Sequence, residues 1–479
     1  MNLSNTATSE SPDQIILPSG ILFGTATAAY QTEGAAHEGG RGVSIWDTFT
    51  AKAGTVSDGS NGDRANDHYH RYEEDLDLLV TLGIPAYRFS IAWPRIQPTG
   101  TGPINAEGIA FYRRLIDGLV DRGIAPYATI YHWDLPQALQ DEGGWTNRQT
   151  AYAFAEYARI VGTEFGDSVA AWGTLNEPWC VAFLGHGKGM HAPGIKDPES
   201  ALTVAHHLNL AHGLAVQELR KVIPEGRKVS ITLNLHALYG VGASGGEAVR
   251  RIDALGNRIF LGPILEGSYP DDLREATREI TDWSFVQEGD LKQIHQPIDF
   301  LGVNYYQVNH VEIWNGQEPR HNIDRFSADK GTAWPGAEDV NFLPVEGKHT
   351  AYGWNITPNG LRDLLVRLNQ DFPALPIVIT ENGAAFDDAV VTDSEGKRAI
   401  HDVDRIDYLR AHIRAVSEAM NLGVDVRGYF VWTFLDDFEW ERGYSMTFGL
   451  VHIDRDTLQR TPKDSAWWYR DIIRANQAK

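Results

Sequence analysis

At 479 residues the chain is long enough for about three average domains, yet an α/β barrel can reach this length as a single unit. Its net charge of −22, from 42 Lys+Arg against 64 Asp+Glu with no long run of either sign, disfavours nucleic acid, anionic membranes and polyanionic substrates as partners. One cysteine, Cys180, excludes an intrachain disulfide and a multi-cysteine metal centre, and no stretch approaches the roughly 18 apolar residues of a membrane span.

The first residues, MNLSNTATSESPDQ, are polar and lack the apolar centre of a signal peptide. They read as a flexible tail over 1–14, ahead of one catalytic domain at 15–479 in a soluble, cytoplasmic protein. Strand-like and helix-like segments then alternate to the end. Eight strands are expected, at Ile21–Ala28, Ala86–Trp93, Ala125–Trp133, Ala170–Glu177, Lys228–His236, Asp299–Tyr306, Pro376–Glu381 and Val426–Leu435. Several (YATIY, VSITL, IVIT) are apolar on both faces, as parallel strands covered by helices should be.

Between them, apolar residues recur three to four apart, marking helices around Tyr69–Leu79, Tyr112–Leu119, Val204–Ala215, Leu361–Leu368 and Ile406–Met420. Asp404 is the expected N-cap of the last of these, and Gly423 follows its end. Eight β-then-α units without a linker predict an α/β fold, a single (β/α)₈ TIM barrel with its active site at the C-terminal ends of the strands. The open doubly wound sheet is the alternative. Its support is GVGASG, Gly240 to Gly245, a literal dinucleotide fingerprint without a strand-end acid at the proper distance; a flexible loop is the expectation there. The stretch from Val308 to Tyr352 shows no clear periodicity, and its length predicts a wall over the mouth of the site.

The strand ends carry the chemistry. AWGTLNEPW (Ala171 to Trp179) ends a strand on Asn176 and Glu177, and PIVITENG (Pro376 to Gly383) ends another on Glu381 and Asn382. Arg88 falls within the second strand, and Gln31, His132, Trp133, Asn304, Tyr306, Trp432, Glu439 and Trp440 fall at or shortly beyond other strand ends. Amides, carboxylates, a histidine and tryptophans on one rim suit a flat polyhydroxylated ligand. Two carboxylates flanking a glycosidic bond divide the work: one, protonated, donates to the leaving oxygen, and the other attacks the anomeric carbon. At a separation of about 5.5 Å and an effective dielectric near 20, the charge of one raises the other by about 3 kcal/mol, roughly 2 pKa units.

TLNEP and ITENG resemble family 1 of the glycoside hydrolases, the β-glucosidase family. The likeness spans nearly the whole chain, through FGTATAAYQTEGA, SIWDTF, YRFSIAWPRI, YHWDLPQAL, GVNYY, FEWERGYSMTFGLVHID and RTPKDSAWWY. The resemblance implies a retaining β-glycosidase that needs no metal or other cofactor. Matched by position, Glu177 is the acid/base and Glu381 the nucleophile, with Arg88 and Tyr306 attending Glu381. Gln31, His132, Asn176, Asn304, Glu439 and Trp440 would bind the sugar, Trp133 and Trp432 would shape its subsite, and Trp179 and Trp354 would line the aglycone side.

Two positions narrow the substrate. Phospho-glycosidases of the family lack the glutamate at Glu439 and carry a lysine shortly after it; this chain has Met446 and Thr447, so unphosphorylated sugars are expected. Asp437 stands where asparagine is more usual. The leading expectation is hydrolysis of terminal non-reducing β-D-glucosyl residues from cellobiose-like oligosaccharides and aryl or alkyl glucosides, as in cellulose breakdown. The alternatives are a β-galactosidase, β-fucosidase or transglycosidase of the same family and, more distantly, a non-catalytic sugar-binding protein. His68 with His70 and His206 with His207 lack a third metal ligand in sequence and are expected to be structural, as are Asp47 and Asp67. Trp467 and Trp468 are expected to pack the last helix under the barrel. Cys180 reads as a packing residue whose thiol, so near the mouth, would confer sensitivity to alkylation.

Overall fold

A computed structural model describes residues 15, 17, 18, 20–317, 331–392, 394, 396 and 398–477; the tail expected over 1–14 lies outside them. Eight parallel strands close into a barrel: β1 (Leu22–Ala26), β2 (Ala86–Ser90), β3 (Ala125–Tyr131), β4 (Ala171–Asn176), β5 (Lys228–Asn234), β6 (Phe300–Asn304), β7 (Ile377–Asn382) and β8 (Val426–Trp432). Around the ring the order is β1-β8-β7-β6-β5-β4-β3-β2. Each strand lies, to within a residue, inside a segment its apolar run marks out. Every residue of β2, β6 and β7 is buried, the pattern of strands covered on both faces.

The barrel interior is layered. Its floor is a cluster of Ala86, Ala171, Phe300, Val378 and Phe430, with Leu22, Ala125 and Tyr127 packed against it. Two residues further along the strands, the rows carry Arg88, Thr129, Gly173 and Thr380 around a space of about 10 Å³. Above that layer the alternation breaks. The pairing of β7 with β6 shifts register between Ile379 and Glu381, and that of β4 with β5 shifts between Gly173 and Asn176. A bulge adds one residue and re-aims the side chains beyond it. Asn382, which simple alternation from Thr380 would turn inward, instead donates to Tyr408 of the outer helix Val403–Asn421.

Helices His68–Thr81, Ala106–Asp121, Pro198–Val222, Pro358–Asp371 and Val403–Asn421 match the expected periodic stretches. Helix Gln149–Phe165 is not among the expected stretches, although its buried Phe154, Tyr157, Val161 and Phe165 recur three to four apart, interleaved with Ala151, Ala155, Ala158 and Gly162. The N-cap of Val403–Asn421 is Asp402, two residues earlier than expected; Asp404 lies inside the first turn. In the final helix, Asp464–Gln477, Tyr469 makes the buried contacts, donating to Gly24 O at 2.9 Å, while Trp467 and Trp468 are only partly buried.

Two loop expectations change. The segment from Val308, expected to be a loop without clear periodicity, holds strands Val308–Ile313 and Val340–Leu343; the first pairs on one side with the second and on the other with Ala237–Gly240, in a small sheet. Val308–Ile313 is buried at every third residue rather than every second, so strand alternation is absent from its sequence. GVGASG is therefore the turn between strand Ala237–Gly240 and helix Gly245–Asp253, not a free loop. Its outer glycines serve a close approach: a Cβ on Gly240 would lie 2.5 Å from backbone atoms of Gly245. Among the described residues, no helix is long and apolar enough to cross a membrane.

Candidate active site

A cavity of about 200 Å³ opens at the C-terminal ends of the strands, against the roughly 10–15 Å³ needed for one water. Glu177 and Glu381 both line it. Glu177 follows the β4 bulge with a left-handed φ of 48°, and Trp133 and Trp440 in the same cavity have φ of 81° and 45°. Non-glycine residues rarely adopt this region, and such strain gathers at functional sites.

One network holds the two carboxylates. Arg88 donates through Nη1 to Glu381 Oε1 and through Nη2 to Asn176 Oδ1, both at 2.7 Å. Tyr306 donates its hydroxyl to Glu381 Oε2 at 2.7 Å. Asn304 Nδ2 donates to Glu177 Oε1 at 2.7 Å and to Asn176 Oδ1 at 3.2 Å, while Thr380 donates to Asn304 Oδ1 at 2.7 Å and so fixes its amide.

These neighbours separate two otherwise identical acids. Burial, then the charge of Glu381, pushes Glu177 up to about 8; Asn304, Cys180 and Arg88 oppose the rise only in part. Repulsion alone, the cause expected from the sequence, is thus second to loss of solvent. Burial also raises Glu381, but Arg88, Tyr306 and Asn304 all act to hold it ionised. The pair's proton accordingly rests on Glu177.

Asn176 fixes the tautomer of His132. Its Oδ1 is taken by Arg88 and Asn304, so Nδ2 is the atom that donates to His132 Nε2, 3.1 Å away. Burial, with Arg88 nearby, holds His132 well below the usual histidine range, so the ring is neutral and its proton sits on Nδ1. That Nδ1 is buried without a protein partner, and so are Gln31 Oε1, opposite an Nε2 that donates to Phe438 O at 2.9 Å, and Glu439 Oε2. Buried polar atoms are rarely left unpaired, and these supply a donor, an acceptor and a carboxyl group. Burial and the acids Asp437, Glu441 and Glu381 push Glu439 well up.

The aromatic residues form two walls. His132 stacks with Trp432 and Trp440, centroids 5.8 and 5.9 Å apart, and Trp133 lies 4.4 Å from Trp440. Trp354 packs on Tyr352 at 4.1 Å and on Tyr306 at 4.8 Å, and Trp179 lies 5.0 Å from Trp334. Met446 packs against the cluster of Trp432, Tyr352 and Phe448, an apolar contact.

Of the residues singled out in the sequence, His132, Trp133, Glu177, Trp179, Asn304, Tyr306, Trp354, Glu381, Trp432, Glu439 and Trp440 line the cavity. Arg88, Asn176 and Gln31 are buried just behind it. The loop expected to wall the site contributes Trp334 and Phe342, but Trp314 is exposed and outside the lining. Tyr352, at the end of that loop, and Cys180, expected near the mouth, also line the cavity, and unforeseen lining residues include His191, His236 and Glu441. His236, two residues past β5, was open to the same strand-end reading as the others. Glu441 accepts from Tyr352 at 2.6 Å and lies 3.1 Å from His191 Nε2.

Other expectations resolve structurally. Burial and the neighbouring Glu177 push the Cys180 thiol well up, which opposes alkylation instead of favouring it. Asp437, at the position where asparagine is more usual, is pushed well up by burial and Asp436, which favours its uncharged form. His68 lies 2.8 Å from Asp75, His206 lies 2.8 Å from Asp290, and His207 Nδ1 lies 2.8 Å from Trp145 O. Asp47 completes a capping box with Ser44. Among the described residues, no group of three His, Cys, Asp or Glu is arranged to hold a metal ion.

Comparison with known proteins agrees with this geometry. Residues 13–478 match the sequence pattern of Glycosyl hydrolase family 1. The bifunctional beta-D-glucosidase/beta-D-fucosidase of Bifidobacterium breve is 50% identical over 470 residues, 97% of this chain and 100% of that one. Beta-glucosidase A of Thermotoga maritima is 44% identical over 464 residues, 96% and 98% of the two chains. The crystal structure of the psychrophilic beta-glucosidase from Micrococcus antarcticus superposes with a TM-score of 0.91 at 45% identity, covering 96% of this chain and 98% of that one. With its barrel closed and its acid pair at the strand ends, the chain belongs to glycosyl hydrolase family 1.

Proposed function

We propose that residues 15–479 act as one catalytic domain, a retaining β-glucosidase that removes terminal non-reducing β-D-glucosyl residues by double displacement. The observation that carries the reading is the pair of buried acids on bulged strand ends, one held ionised by Arg88 and Tyr306, the other raised to about 8. Glu381 attacks the anomeric carbon while Glu177 gives its proton to the leaving glycosidic oxygen, so the C–O bond breaks as an ester to Glu381 forms. The ester is neutral, the repulsion on Glu177 falls, and Glu177 takes a proton from the water that attacks the same carbon. Glu381 leaves as carboxylate and β-glucose departs.

Retention is supported by membership of the family and by the neighbouring donors of β6 and the residues after it: Asn304 donates to Glu177 and Tyr306, two residues on, donates to Glu381, both at 2.7 Å. The unpaired atoms of His132, Gln31 and Glu439 suit sugar hydroxyls, and the Trp179–Trp334 and Trp354–Tyr352 walls suit the aglycone. Turnover of β-D-fucosides is a second reading, supported by the name of the 50%-identical relative.

Proton NMR of an aryl β-glucoside digest tests both activity and mechanism. β-Glucose should appear before mutarotation. α-Glucose first would mean inversion, and the absence of glucose, with β-fucoside and β-galactoside also inert, would leave only sugar binding.

A further inference from the structure

Both oxygens of Glu177 accept a hydrogen bond, and the two donors differ in kind. Asn304 Nδ2 reaches Oε1 at 2.7 Å and is immobile, since Thr380 and Asn176 fix its amide. The Cys180 thiol donates to Oε2 at 3.2 Å. Cys180 begins a π-helical turn, Cys180–Lys188, and its backbone N–H donates to Glu177 O at 3.0 Å, so the sulfur is tethered beside the carboxylate. Asn234 Nδ2 donates to the sulfur at 3.5 Å, leaving the thiol proton to face Glu177. Of the two donors, only the S–H can rotate.

We propose that Cys180 is a positioning residue for Glu177, its S–H an adjustable donor that steadies the carboxylate as the proton leaves and releases it as the proton returns. The proposal rests on the reading of Glu177 as acid/base. In the first half-reaction the Glu177 proton passes to the glycosidic oxygen, and the thiol bond to the now charged carboxylate tightens. In the second, Glu177 removes a proton from water and the thiol bond loosens. A stronger fixed donor would hold the carboxylate too firmly to accept that proton, whereas an apolar side chain would leave it buried with one partner fewer.

Cys180 can play this part because it stays a neutral donor. Burial and the Glu177, Glu381 and Glu441 carboxylates all push the thiol up. The other charged or titratable groups around this cavity are Glu381, Arg88, Tyr306, Tyr352, Glu439, Glu441, His132, His191, His236 and His310, none of which is changed by substituting Cys180.

The test is the pH profile of kcat/KM for wild type, Cys180→Ala and Cys180→Ser on a β-glucoside with a poor leaving group. In Cys180→Ala the alkaline limb should move up by about half a pH unit or more, because the carboxylate loses a donor. In Cys180→Ser, where O–H is the better donor, it should move down, with the acid limb of Glu381 unmoved in both. Limbs that stay put in both variants, or move the same way in both, would overturn the proposal and leave Cys180 a packing residue. If Cys180→Ala fails to fold, the downward shift of Cys180→Ser is required on its own. Glu177→Gln, assayed on an activated aryl glucoside, separates the two claims. An alkaline limb that persists there removes the acid/base reading and the proposal with it. A limb lost there but unmoved in the cysteine variants removes the proposal alone.

Discussion

At the scale of single residues, Glu177 and Glu381 differ only in the company they keep. Glu381 accepts from a guanidinium and a phenol; Glu177 accepts from an amide and a thiol, both uncharged. Glu381→Gly should abolish turnover and regain it with added azide, yielding the α-glycosyl azide; a β-azide would mean the nucleophile lies elsewhere. Glu177→Ala should lower kcat/KM by about 10²–10⁴-fold on alkyl glucosides and far less on activated aryl glucosides, since general acid catalysis matters most where the leaving group is poor. Equal losses on both would remove the acid role. The pair was legible in the sequence because TLNEP and ITENG are specific. The cause of the Glu177 shift was not, because burial depends on the walls that close over the carboxylate, and Trp334 and Tyr352 come from loops with no periodic signature.

At the scale of elements, the barrel strands were legible and their bulges were not. A strand buried on both faces announces itself by an apolar run, but a register shift is decided by pairing with a neighbour far away in sequence. ITENG ends on a glycine for a reason only the pairing reveals: a Cβ on Gly383 would lie 1.6 Å from the backbone oxygen of Trp432. Gly383→Ala must therefore push β7 and β8 apart just past Glu381 and beside Trp432. The expectation is a lower melting temperature together with a loss of kcat/KM of tenfold or more; a variant with wild-type kinetics would show that the strand ends tolerate the displacement. The short sheet of Ala237–Gly240, Val308–Ile313 and Val340–Leu343 makes a comparable case. It brings Phe342 against Trp334, centroids 5.4 Å apart, and Trp334 against Trp179. Trp334→Ala should raise KM for aryl glucosides while leaving kcat, where breakdown of the glycosyl-enzyme limits, nearly unchanged.

For the whole molecule, buried ionisable groups set how stability varies with pH, and two sets oppose each other. His186, His207, His236 and His412 are lowered to about 4 by burial. The unfolded chain binds these protons up to about pH 6.5, so the histidines make stability rise between pH 4 and 6.5 and contribute no slope above it. Raised acids act the other way. Asp134 is pushed up to about 8, chiefly by burial, and neither of its carboxyl oxygens has a hydrogen-bond partner. From about pH 4 to 8 the folded state keeps a proton that the unfolded state has lost, so stability falls across that window and levels off beyond it. Above pH 6.5 these four buried histidines no longer act, and comparing a variant with wild type cancels every other group, so Asp134 can be read alone. Asp134→Asn removes the titration while nearly conserving volume. Its melting temperature should gain on wild type steadily from pH 6.5 to 8, with the two closest near pH 4. Melting curves that stay parallel across this range would mean that Asp134 is already ionised in the fold, held so by Arg41 despite its burial.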